Sequence, residues 1–311
     1  MIRIAILDDY QNVALEMADW SPLAGRADIT VFNDHLSNLD EIVDRLLPFD
    51  VVCLMRERTP LPRAVIERLP RLTLIASTGT RNAAIDMDAA VERGIVVAHT
   101  GYDGRSTVEM TWALILACVR QVALENAHVR AGGWQRTLGE SLHGKTLGVL
   151  GLGNIGSEVA RIGLAFGMEV IAWSQNLTPD KAQACGARLV SKEELFRSAD
   201  ILTIHLVLSQ RTLGLVGAAE LQAVKPSARL INTSRGPIVD EPALIEVLRY
   251  RRIAGASLDV FDIEPLPADH PFRSLDNVLA TPHIGFVARE LYRTFYGDTV
   301  ENITRWLAQQ T

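Results

Sequence analysis

Three stretches of the chain end an apolar run with side chains that handle charge or protons. RLINTSRG carries Arg235, LDVFDIEP carries Asp259 and Glu264, and ATPHIG carries His283. An arginine holds a carboxylate through paired hydrogen bonds and polarises an adjacent carbonyl. A histidine exchanges a proton near neutral pH, and an adjoining carboxylate favours its protonated form and fixes its orientation. Hydride chemistry on a 2-keto or 2-hydroxy acid needs this combination, with the hydride itself carried by a cofactor. Taken singly, each residue has a bland reading. An arginine after a strand is usually solvated, a glutamate before proline often ends a turn, and His99 and His205 also stand near strand ends. Their joint order behind a glycine fingerprint gives the set its weight.

That fingerprint is GxGxxG at Gly151, Gly153 and Gly156, in TLGVLGLGNIGSEVARIGLAFG. An apolar strand runs into it, and Ile155, Val159, Ile162 and Phe166 mark a helix face after it. Gly151 permits the tight turn, Gly153 lets a pyrophosphate approach the backbone, and Gly156 lets helix and strand pack closely. The helix amino end favours the phosphate charge. A purely structural strand-to-helix turn is the weaker reading. The next strand ends IAWSQN, where NAD-binding folds place an acidic residue about 20 residues after the glycines. Ser174 stands there instead, removing the charge that would repel a 2'-phosphate, while Gln175 and Asn176 supply amides and no cation. Either NAD or NADP is permitted.

Elements to position these residues are visible along the whole chain. Short apolar, β-branched runs alternate with helical patterns, as in parallel sheets covered on both faces. IRIAIL, ITVF, VVCLM, LTLIAS and IVVA form one series; TLGVLG, VIAWS, ILTIHL, RLINTS, AGASLDV and NVLATP form a second. The expected fold is α/β with two doubly wound parallel-sheet domains, each set of charged residues outside the carboxyl ends of strands. Ser106 to Asn126, with Val108, Trp112, Ile115, Val119 and Val122 at helical spacing, reads as one helix, interior to a subunit or covered partly by another. Val287 to Gln310 reads as a closing helix with Val300, Ile303 and Leu307 on one face.

Composition narrows the partners. At 311 residues the chain suits two domains, and 22% charged residues with 48% apolar ones is a globular balance. No apolar run reaches the roughly 20 residues of a membrane span, and MIRIAILDD lacks the hydrophobic region of a signal peptide. Cys53, Cys118 and Cys185 stand far apart without CxxC spacing, so neither a disulfide framework nor a metal site is expected, and a reducing cytoplasm is. A net charge of -6 without basic runs argues against nucleic acid and anionic membranes.

Together, GLGNIG, NTSRG with Arg235, LDVFDIEP and TPHIG with His283 resemble the D-isomer-specific 2-hydroxyacid dehydrogenases over nearly the whole chain. The phosphoglycerate dehydrogenase-like and glyoxylate or hydroxypyruvate reductase-like branches are the most similar, in a short form without a regulatory tail. The resemblance implies that Arg235 binds the substrate carboxylate, His283 is the acid/base, Glu264 tunes it and Asp259 holds the nicotinamide carboxamide. It implies a Rossmann cofactor domain, residues 101–286, inserted in a flavodoxin-like substrate domain, residues 1–100 with 287–311. It also implies a homodimer formed through the cofactor domains. Glu264 argues against formate dehydrogenases, which lack that partner of the histidine.

The expected cofactor contacts are Gly151, Gly153, Asn154, Ile155, Gly156, Ser174, Gln175, His205, Thr107, Thr233 and Asp259, and the expected substrate contacts are Gly79, Thr80, Arg81 and Arg235. Departures fall at the substrate loop, GTRNAAID from Gly79 to Asp86, where Arg81 replaces a family glycine and Ala83 an acid. Arg81 either binds a distal anionic group or turns to solvent and pairs with Asp86 or Asp88; Arg56 and Arg58 are open in the same way. Ser106 and Thr107 face the nicotinamide or cap a helix. Val207 stands where many members have proline, altering local cofactor packing. The expected activity is interconversion of a small D-2-hydroxy acid and its 2-keto acid. A dinucleotide-sensing protein on the same scaffold, like the C-terminal-binding corepressors, is the alternative.

Overall fold

The apolar runs become parallel strands because their β-branched residues are buried on both faces, as a sheet covered by helices requires. A computed structural model describes residues 1–310 and contains twelve strands among them. The first five are β1 (Ile2–Ile6), β2 (Ala27–Val31), β3 (Val51–Leu54), β4 (Leu74–Ser77) and β5 (Val96–His99). They form one all-parallel sheet in the order β2-β1-β3-β4-β5. That order is the flavodoxin-like one, with its switch point between β1 and β3. Both β3 and β4 are buried throughout, whereas the edge strands β2 and β5 are half exposed.

The remaining strands are β6 (Thr146–Leu150), β7 (Glu169–Trp173), β8 (Arg188–Leu189), β9 (Ile201–Ile204), β10 (Arg229–Asn232), β11 (Gly255–Leu258) and β12 (Val278–Ala280). They form a parallel sheet in the order β12-β11-β10-β9-β6-β7-β8. The order reverses between β6 and β9, which is the Rossmann switch point beside the glycine loop. Strand β8 was not among the expected runs. It is two residues long and pairs only with β7, too short to leave a pattern in ARLV.

The chain divides into two compact units, Met1–Asp103 with Ala288–Thr311 and Gly104–Val287. These boundaries lie three residues and one residue from the expected ones. The helix Arg289–Ala308 belongs to the five-stranded unit. It buries Leu291, Tyr292, Phe295, Tyr296, Val300, Ile303 and Leu307. Polar ties reinforce it: Asn302 donates to the His99 carbonyl at 2.9 Å, and Asp298 accepts from the Gly101 N–H at 2.7 Å.

One expected element is corrected. Ser106 to Asn126 is two helices, Arg105–Val119 and Val122–Arg130, meeting at a 64° bend. Gln121 at the break has φ +54, a left-handed conformation that ends a helix. The first helix buries Val108, Trp112, Ile115 and Val119 in the seven-stranded unit's core, but Val122 is exposed and the second helix buries nothing. Among the described residues no single helix is long and apolar enough to cross a membrane.

Candidate functional site

The glycine loop is built as its spacing requires. Gly151 has φ +100, and a Cβ there would lie 2.6 Å from the His205 carbonyl oxygen. At Gly156 a Cβ would lie 2.0 Å from the Gly151 carbonyl oxygen, so the helix Asn154–Ala165 can start this close to β6 only without a side chain. A Cβ at Gly153 would meet nothing within 4 Å. Gly153 is also the N-cap of that helix and places no side chain over its first N–H groups. Open space above a helix amino end with uncapped donors fits a pyrophosphate. Asn154 and Ile155 are the first helical residues, Ile155 packing partly against the core.

Next to this loop stand His205 and the end of β7, which Ser174 follows. Ser174 directly follows β7, whose last carbonyl, that of Trp173, accepts the Gly151 N–H at 2.9 Å. Gln175 and Asn176 are exposed beyond it. His205 follows β9; burial pushes its imidazole down to about 3, so the ring is neutral at ordinary pH, and its Nε2 lies 2.8 Å from Thr203 Oγ1. Thr107 and Thr233 are buried and joined through Thr111, whose hydroxyl donates to the Thr107 carbonyl at 2.8 Å and lies 2.8 Å from Thr233 Oγ1. Thr111 had no signal of its own in the sequence, because it reads as one more residue of an apolar helix. Neither Ser106 nor Thr107 is the N-cap. Gly104 is, without a side-chain bond.

Beyond β10, β11 and β12 stand the charged residues. Asn232, the last residue of β10, donates to the Arg235 carbonyl at 2.9 Å and accepts the Ser234 N–H at 3.0 Å, which fixes the turn carrying Arg235. The guanidinium Nη1 donates to the Ser234 carbonyl at 2.7 Å. Asp259 follows β11 and is 1% exposed. Its carboxylate accepts from Thr281 Oγ1 at 2.6 Å, the Ile284 N–H at 2.9 Å and the Gly285 N–H at 2.7 Å. Burial pushes its pKa up, against those three donors. Asp259 thereby holds the ends of the turn Thr281–Gly285 on which His283 sits at φ +52.

His283 and Glu264 meet at 2.6 Å, Nδ1 to Oε2. Burial works to raise the glutamate's pKa, but the His283 hydrogen bond and charge, the Phe261 N–H and the Arg235 charge bring it below the ordinary carboxylate range. An ionised carboxylate only accepts, so His283 Nδ1 carries the hydrogen and donates it. Nε2 is then the nitrogen that can pass a proton to or from another molecule. The second glutamate oxygen accepts the Phe261 N–H at 2.9 Å, and Phe286 packs edge-on against the imidazole at 5.4 Å. The carboxylate and histidine are therefore in contact, and the Arg235 charge is near enough to act on Glu264.

Gly79, Thr80 and Arg81 belong to the five-stranded unit, just past β4. Gly79 has φ +86, donates to Thr100 Oγ1 at 2.7 Å and lies under the Arg56 guanidinium, leaving no room for a Cβ. Thr80 and Arg81 are exposed. Asp86 caps the helix Met87–Glu92 through the Ala89 N–H and lies 3.8 Å from Arg63. Arg58 donates to the Asp8 carbonyl and lies over the Tyr10 ring. Val207 is exposed.

This fold and site define a dinucleotide-binding oxidoreductase with an arginine, glutamate and histidine at the ends of three adjacent strands. Residues 112–285 match the family model of the D-isomer specific 2-hydroxyacid dehydrogenase, NAD binding domain. The chain belongs to the D-isomer-specific 2-hydroxyacid dehydrogenases. It is 43% identical over 236 residues to a glyoxylate reductase of Aeropyrum pernix, covering 73% of this chain and 70% of that one. It is 35% identical over 309 residues to a D-3-phosphoglycerate dehydrogenase of Bacillus subtilis, covering 98% of this chain but only 57% of that longer protein. A phosphoglycerate oxidoreductase from Vibrio cholerae superposes with a TM-score of 0.94 at 36% identity, covering 99% of this chain and all of that one. The chain is an oxidoreductase of hydroxy and keto acids whose cofactor domain is of the NAD-binding kind.

Proposed function

We propose that this chain interconverts a small D-2-hydroxy acid and its 2-keto acid, of the glyoxylate or hydroxypyruvate size, through Arg235, Glu264 and His283. The 2.6 Å contact between His283 Nδ1 and Glu264, beside the Arg235 charge, carries the reading. When bound, the nicotinamide dinucleotide supplies or accepts hydride. Arg235 holds the substrate carboxylate and polarises the neighbouring carbonyl. His283 gives its Nε2 proton to the new alkoxide, and Glu264 stabilises the imidazolium form that does so. Asp259 would hold the nicotinamide carboxamide and keeps the His283 turn in place. The glycine loop with Asn154, Ile155, Thr107, His205 and Thr233 binds the dinucleotide.

In the five-stranded unit, the proposed substrate domain, the exposed Thr80 and Arg81 beside Gly79 are the proposed substrate contacts, Arg81 for any distal anionic group. Val122, Leu124 and Val129 on the exposed helix, with Trp134 and Leu138 after it, support a homodimer through the cofactor domain, since exposed apolar side chains this close in sequence favour a second copy. Three free cysteines are in keeping with a cytoplasmic enzyme. A screen of keto acids with NADH and NADPH, read by nicotinamide absorbance, tests the activity. Turnover of glyoxylate or hydroxypyruvate is expected, and tight dinucleotide binding without turnover of any keto acid would overturn it. Ser174, Gln175 and Asn176 leave both cofactors open, so Ser174→Asp should lower use of NADPH about tenfold relative to NADH. An unchanged ratio would remove Ser174 from cofactor choice.

A further inference from the structure

The segment that carries Glu264 leaves β11 at Leu258 and reaches Phe272 without a strand or long helix to stiffen it. Its fastenings lie elsewhere. Glu241, the first residue of the helix Glu241–Arg249, is 17% exposed and uses both carboxylate oxygens on this segment. One lies 2.9 Å from His270 Nε2, and the other is 3.4 Å from the Asp262 N–H. His270 Nδ1 accepts the Phe272 N–H at 3.2 Å, so its hydrogen is on Nε2 and is donated to Glu241. The imidazole, 13% exposed, also packs on the Phe272 ring at 4.8 Å. From the other side, Arg273 donates to the carbonyls of Leu266 and Pro267 at 2.7 and 2.8 Å, just past Glu264. At Gly236, next to Arg235, a Cβ would lie 2.1 Å from the Phe261 carbonyl carbon, so the two backbones touch.

We propose that Glu241 and His270 are positioning residues for the reaction: their contact clamps the 259–272 segment so that Glu264 reaches His283 Nδ1. This rests on the catalytic reading of Glu264 and His283 given above. A glutamate in an irregular segment keeps a 2.6 Å contact only if both ends of the segment are held, since a group displaced by about 1 Å loses most of such a bond. Glu241 holds the near end through Asp262 and the far end through His270. The titratable groups at this clamp are Asp240, Glu241, Asp262 and His270, and the charged Arg273 is bonded to the carbonyls of the same segment.

The test uses the full chain and reads the His283 ring directly, by NMR titration of its Cε1–H resonance, with glyoxylate reduction by NADH measured in parallel. Glu241→Ala removes both contacts; His270→Phe keeps a ring against Phe272 and removes both nitrogens, should the first variant fold poorly. In either, the His283 midpoint is expected about one unit lower, because the displaced carboxylate no longer favours imidazolium. Turnover is expected about tenfold lower, with dinucleotide affinity unchanged. Glu241→Gln, which still accepts from His270, should restore the midpoint. A midpoint unmoved in folded Glu241→Ala or His270→Phe, with only thermal stability lost, makes the contact merely structural and overturns the proposal. His283→Gln separates the two ideas: retained turnover in that variant would sink the catalytic reading, whatever the clamp does to the titration.

Discussion

Asp8 with His35 and Glu264 with His283 are the same two functional groups in contact, one pair in each unit. Both stand past the carboxyl ends of parallel strands, and each contains a residue held in the left-handed region, Asp8 at φ +57 and His283 at φ +52. The contacts are 2.9 and 2.6 Å. The surroundings differ. Asp8 and His35 side chains are 1% and 9% exposed, and the second Asp8 oxygen is taken by Thr59 Oγ1 at 2.6 Å while Arg58 occupies its carbonyl. Glu264 and His283 side chains are 32% and 22% exposed. A carboxylate and imidazole buried against each other, with the carboxylate's other oxygen taken by a buried hydroxyl, fasten loops together. The same groups, when the ring is open to another molecule, can move a proton.

The largest expected effect separates the two pairs outright. His283→Ala should lower turnover by a factor of about 100 to 10,000 and leave thermal stability nearly unchanged. His35→Ala should do the reverse, leaving Asp8 with a lost partner in the core and costing about 2 kcal/mol of stability in denaturant unfolding. Loss of turnover in His35→Ala at a temperature where that variant is fully folded would break the distinction. Glu264→Gln should have an intermediate effect. The amide can still accept from Nδ1 but supplies no charge, so reduction should slow about tenfold to a hundredfold. A full-rate Glu264→Gln enzyme would mean that the glutamate only orients the ring.

The two pairs also differ in how far the sequence reveals them. Glu264 and His283 stand in short motifs at strand ends, where the polar residue breaks an apolar run and the glycine fingerprint supplies the context. Asp8 and His35 are 27 residues apart, and nothing local marks either as a partner of the other. The same limit hides Thr111, whose link to Thr233 spans 122 positions, and the Glu241–His270 contact across 29. Sheet assignments were legible because buried parallel strands are apolar along their whole length. The break at Gln121 was not: its left-handed backbone is neither glycine nor asparagine, and the apolar period runs on through Val122. Strand β8 was hidden by its length.

The smallest effect concerns charges that are not paired off. The Asp8 carboxylate meets the His35 imidazole, whereas Asp262 stands near Glu241 and Asp240. Burial first, then those two carboxylates, push its pKa up to about 6 against the opposing influence of His270. Folded Asp262 therefore keeps its proton to a higher pH than in the unfolded chain, which loses it near the ordinary value of 3.8. Between these values the native state binds more protons, so this contribution to stability is present in acid and is lost as pH rises through about 6. Asp262→Asn has no proton to lose and keeps the backbone N–H that Glu241 accepts. Its melting temperature should match the wild type near pH 4 and exceed it by about 1–2 °C at pH 8, the small size reflecting how exposed the residue is. A gain of equal size at both pH values would show that the acidic group destabilises the segment by its shape rather than its charge. The contrast between a carboxylate paired with an imidazole and one crowded by carboxylates would then not rest on charge.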